Sequence, residues 1–90
     1  MNNREKLNKM DRALRLLEDL KHSQVAMVEK VSHLQLDAME FSFSEMEKNM
    51  GDLYSRYNES LDLLNAEIER FDIKRNQFEM KHGLDKIEEE

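Results

Sequence analysis

Apolar residues recur along this chain at alternating steps of three and four, and the phase of that step changes once, near the middle. In the first half Met10, Ala13, Leu17, Leu20, Gln24, Met27, Val31, Leu34, Ala38 and Phe41 keep the step, with Gln24 the only polar member. In the second half Met50, Tyr54, Tyr57, Leu61, Leu64, Ile68, Phe71, Arg75, Phe78 and His82 keep it, interrupted by Arg75 and His82. A three–four alternation puts every member on one face of an α-helix. The nine-residue gap from Phe41 to Met50 fits no single heptad register. Two amphipathic helices joined by a break account for both facts, so the fold class is all-α: an antiparallel hairpin of two long helices that associates into a coiled-coil-like bundle with itself or with a partner. The hairpin core is then Leu17, Leu20, Met27, Val31, Leu34, Phe41, Tyr57, Leu61, Leu64, Ile68, Phe71 and Phe78.

Stop and start signals set the boundaries. Asn2 followed by Glu5 has the spacing of a capping box, which satisfies free backbone N–H groups at a helix start. Leu7, Leu14 and Val28 flank the first seam and widen its stripe beyond what one neighbouring helix hides. Two turn sites compete. Ser44 and Glu47 form a second capping-box spacing, which places the turn at 42–44. Gly51 and Asp52 instead offer a left-handed helix stop followed by a start. Glycine is the stronger stop, so the chain reads as one domain over 1–90, with a helix over about 3–48, a turn over about 48–52 and a helix over about 52–82. Gly83 and Leu84 suit a C-terminal cap. The acidic tail over 83–90 is expected to fray, since Glu88–Glu90 oppose the negative end of a helix dipole.

Composition narrows the chemistry. Charged residues make up 38% of the 90 positions, glycine occurs twice, and proline and cysteine are absent. That mixture suits long solvated helices and leaves no disulfide, thiolate metal site or thiol nucleophile. No apolar run approaches the roughly twenty residues of a membrane span. Residues 46–90 carry twelve Asp/Glu against seven Lys/Arg, the wrong sign for a nucleic-acid groove. The basic start (Arg4, Lys6, Lys9, Arg12, Arg15) reads as a solvated face interspersed with Glu5 and Asp11. Glu29, His33 and Asp37 share a helix face, but such spacing is common in charged helices, and a metal site needs ligands converging from several elements. No nucleophile or phosphate-loop motif is present, so the expectation is a protein without enzymatic activity, cofactor or metal.

A second apolar stripe lies on the second helix. Leu63, Ala66, Ile73, Met80, Leu84 and Ile87 fall away from the seam, where a two-helix hairpin has no use for them. They are the candidate partner-binding residues, offered to a helical segment of another protein or to a second copy. Six internal methionines add adaptable apolar surface. Phe41 and Phe43 suit either closing the hairpin end or plugging a partner's groove.

The opening Asn3–Lys9, the aromatic–serine stretch Phe41–Ser44 and the charged run Glu67–Glu79, in a small helical chain without cysteine or proline, resemble accessory proteins of Gram-positive type VII secretion. The likeness is greatest to the helical partners of LXG-type toxins. It implies a cytoplasmic adaptor or chaperone that binds a toxin's N-terminal helical domain, as a homodimer or hetero-oligomer, and is exported with it or stays behind. The chain departs from the secreted hairpins of that system. Their turns carry Trp-x-Gly where this one reads Asn49-Met50-Gly51, and Phe71 and Phe78 precede Arg75 and His82 where an export tail carries an acid. Chaperones of type III secretion are similar in size and acidity and form the alternative, alongside a self-associating coiled-coil module.

Overall fold

The computed structural model describes residues 1–85, which form two helices, α1 (Asn3–Glu40) and α2 (Ser44–Lys81). They run antiparallel as a hairpin of 69 × 20 × 19 Å. The pairing direction is fixed by contacts far apart in sequence: Asn3 with His82, Asp11 with Arg75 and Gln35 beside Gly51. The expected frayed tail and Ile87 fall largely or wholly beyond residue 85, outside the described residues.

α1 begins at a working cap. The Asn2 side chain accepts from the Glu5 backbone N–H at 2.8 Å, and its amide donates to the Glu5 carboxylate at 3.1 Å. The helix passes His22, Ser23 and Gln24 without a break. It ends about eight residues before the expected turn. The Ser42 N–H donates to the Met39 carbonyl and the Phe43 N–H to the Ala38 carbonyl, the paired bonds of a Schellman motif, with Ser42 in the left-handed region at φ 62°. The turn is therefore Phe41–Phe43, not 48–52, and the helices span 3–40 and 44–81 rather than 3–48 and 52–82.

Gly51 misleads because its freedom is used for something other than stopping a helix. It lies inside α2 against α1, where an added Cβ would stand 3.0 Å from Gln35 Nε2. Ser44 and Glu47 do not form a capping box either. Phe43 occupies the N-cap without a side-chain bond, and Glu45 and Glu47 stand in the first turn, where carboxylates are favoured by the dipole. α2 ends in a second Schellman motif, with Gly83 at φ 65° and the Leu84 N–H bonded to the Glu79 carbonyl.

The core is thin. Leu7, Val31, Ala38 and Leu64 are buried, and Leu14, Leu17, Val28, Tyr57, Leu61, Ile68, Phe71 and Phe78 are half-buried between the helices. Four residues expected in this core are not there: Leu20, Met27 and Leu34 are 47%, 42% and 41% exposed and Phe41 is 61% exposed. α1 carries three apolar columns, and α2 covers two. The covered pair is Leu7–Leu14–Val28 with Met10–Leu17–Val31–Ala38. The first of these columns is broken by Lys21 and Gln35, which disguises it in a count of apolar positions, yet Gln35 is the residue that meets Gly51.

Candidate protein-binding surfaces

The two flanks of the hairpin differ in chemistry. On one flank the helices are tied by polar groups. Arg75 Nε and Nη2 donate to the two Asp11 carboxylate oxygens at 2.6 and 3.3 Å, and Nη1 lies 2.9 Å from Glu79 Oε1. The Arg75 side chain is only 18% exposed. The hydrogen bond to Asp11, then that to Glu79, raises its guanidinium above the ordinary range against the opposing cost of desolvation. Beyond it, Asn3 Nδ2 lies 3.1 Å from His82 Nδ1, the His82 ring sits 4.5 Å from that of Phe78, and Lys6 Nζ lies 5.0 Å above the Phe78 ring. Arg4 donates to the Leu84 carbonyl at 3.4 Å. Arg75 and His82, the polar interruptions of the second seam, thus fasten the open end of the hairpin. A sequence signal for this clamp exists once the turn is placed: Asp11 and Arg75 lie at nearly equal distances from Ser42.

The other flank is apolar and open. The uncovered column of α1 runs Leu20, Met27, Leu34 and Phe41, one residue per seven, headed by the half-buried Ala13 and with the exposed Leu16 beside it. Two troughs between the helices lie along it, one lined by Leu16, Leu20 and Phe71, the other by Leu20, Met27 and Tyr57. Gln24 Oε1, in the second trough, is buried without a hydrogen-bond partner.

A third surface is the outer face of α2. Leu63 and Met80 are 73% and 72% exposed, Ile73 and Ala66 are also exposed, and all four face away from α1. Leu84 is half-buried at the α2 cap and stands apart from this ridge; Ile87 lies outside the described residues. At the tip, Phe41 and Phe43 have ring centroids 6.1 Å apart, tilted by 55°, and both are exposed, so neither closes the hairpin end.

Among the described residues no three His, Asp or Glu side chains gather as a metal site would require, and no described helix is long and apolar enough to cross a membrane. The class defined by this architecture is a two-helix antiparallel hairpin with two uncovered apolar faces. Comparison with known proteins found no match among family models, curated proteins or solved structures.

Proposed function

We propose that this hairpin is a non-catalytic adaptor or chaperone that holds a helix of another protein against the outer ridge of α2. The observation that carries this reading is the ridge itself: Leu63, Ala66, Ile73 and Met80 recur at helical spacing on a face that the hairpin does not use. Such a strip is what a helix-in-groove partner reads through its own i, i+3, i+4 and i+7 anchors. Burying a large aliphatic side chain contributes about 1.5–3 kcal/mol, so three of them supply roughly 5–9 kcal/mol before the costs of association. The partner gains a cover for apolar surface that would otherwise aggregate. The narrower reading, in which that partner is the helical domain of a secreted toxin, rests on the resemblance of Asn3–Lys9, Phe41–Ser44 and Glu67–Glu79.

The test is co-purification with the tagged chain from its native cells, comparing the parent with a Leu63→Glu, Ile73→Glu, Met80→Glu variant. The substitutions lie on exposed positions, so circular dichroism should report unchanged helicity. Loss of one helical partner from the variant is the expected result. Equal recovery of the same proteins by parent and variant overturns the ridge as the binding face.

A further inference from the structure

We infer that the open apolar flank is occupied by a second copy of this chain, packed antiparallel so that α1 meets α1 across a two-fold axis at Met27. Three observations carry this. First, the hairpin has more surface than its mass warrants. Its accessible surface is 7220 Å², whereas a folded monomer of this mass exposes about 5,500 Å². The excess of about 1,700 Å² exceeds the roughly 800 Å² per partner that a stable interface needs.

Second, the uncovered column is symmetric about its own centre. Ala13, Leu20, Met27, Leu34 and Phe41 are evenly spaced, with Met27 in the middle. An antiparallel two-fold there sets Met27 against itself, Leu20 against Leu34 of the second copy, and the smallest member, Ala13, against the largest, Phe41. The exposed Phe41 ring then gains a partner that leaves room for it.

Third, charge selects this orientation over its alternative. Residues 4–15 carry five Lys/Arg against two Asp/Glu, and residues 37–52 carry five Asp/Glu against one Lys. An axis perpendicular to the helices lays each acidic tip beside the basic start of α1 in the other copy, the helix that faces it across this interface. An axis parallel to them would bring the two acidic tips together, which costs energy. The polar flank, with its charges engaged by Asp11, Arg75 and Glu79, offers no comparable surface.

The chain has no cysteine, so single Cys substitutions read the geometry directly. Sedimentation equilibrium of the parent should give twice the chain mass of 10.8 kDa. Met27→Cys should cross-link to itself under mild oxidation. Leu20→Cys alone should not, because its two copies would sit about 21 Å apart along the axis at 1.5 Å per residue. A mixture of Leu20→Cys and Leu34→Cys should form the mixed disulfide, while Ile73→Cys on the outer ridge should not cross-link. Met27→Glu, which places two carboxylates on the axis, should raise the dimer dissociation constant about a hundredfold or more. A monomer at all concentrations with full helicity overturns the proposal. So does efficient self-cross-linking of Leu20→Cys, or of Ile73→Cys in preference to Met27→Cys.

Discussion

Replacing Ser42 with glycine should make the protein more stable, and the sign of the effect locates the turn. Ser42 holds a φ of 62° while its N–H and that of Phe43 close the Schellman bonds to Met39 and Ala38. A side chain in that region costs about 1–2 kcal/mol, because Cβ crowds the neighbouring carbonyl. Glycine removes that cost and returns about 0.5–1 kcal/mol through the freer unfolded chain. The net gain is about 0.5–1 kcal/mol, or roughly 2–8 °C in Tm for a domain of this size. Had the chain turned at 48–52, Ser42 would lie inside a helix and the same substitution would cost about 0.5 kcal/mol. The reciprocal change, Gly83→Ser, isolates the conformational part, since no atom lies within 4 Å of the Cβ it introduces and φ there is 65°. It should cost about 1 kcal/mol. Thermal and urea unfolding of parent, Ser42→Gly and Gly83→Ser at one fixed protein concentration measure both, the fixed concentration holding the contribution of self-association constant. A lowered Tm for Ser42→Gly would refute the reasoning.

Three further perturbations probe the packing. A double-mutant cycle of Asp11→Ala and Arg75→Ala, read by urea unfolding, should give a coupling of about 1 kcal/mol, at the upper end for an incompletely buried pair, because the contact is bidentate. Since the guanidinium is raised, its contribution is complete below its unfolded-state value and fades only in strong alkali, so stability should not fall on the basic side between pH 7 and 10 on its account. Gln24→Leu should stabilise the chain by about 1–2 kcal/mol by removing a buried carbonyl oxygen without a partner, and an unchanged urea midpoint would show that this oxygen is hydrated. Gly51→Ala gains up to about 1 kcal/mol of helix propensity but presses on Gln35 Nε2, so the gain in Tm should be larger in a Gln35→Ala background than in the parent.

The two-helix architecture was legible from the three–four alternation and its phase change, and the start of α1 from Asn2 and Glu5. The turn was legible only through Ser44 and Glu47, whose spacing places it at 42–44, one residue from the observed Phe41–Phe43; the stronger glycine signal at Gly51 pointed away from it. Gly51 is used for close approach to Gln35, and the left-handed residue that ends α1 is a serine. The facing columns of α1 were misassigned for a related reason. Counting apolar residues favours Ala13–Leu20–Met27–Leu34–Phe41 over Leu7–Leu14–Lys21–Val28–Gln35, but the true seam tolerates Lys21 and Gln35 half-buried beside α2. Only the partner helix, with a glycine opposite Gln35, makes the second column the inner one. The clamp of Asp11 with Arg75 was hidden until the turn was placed: Arg75 shows in the sequence as a polar interruption of its seam, but Asp11 is one charge among several on the start of α1.

The two uncovered faces point in different directions, and this constrains how the proposed interactions combine. The apolar flank lies beside the seam, with Leu20 and Met27 of α1 sharing troughs with Phe71 and Tyr57 of α2. The ridge of Leu63, Ile73 and Met80 is on the back of α2, turned away from α1. A second copy on the flank therefore leaves both ridges of the pair free, and each dimer presents two helix-binding strips running in opposite directions. A partner with two suitable helices would then bind one dimer twice, the second contact being intramolecular and favoured by an effective concentration in the millimolar range for a short linker. A single-helix partner would instead fill the strips independently, at one partner per chain. Light scattering of the purified complex separates these arrangements from one in which partner and second copy compete for the same face. In the competing case the partner would dissolve the dimer, and Met27→Glu would weaken partner capture while Ile73→Glu would leave it unchanged.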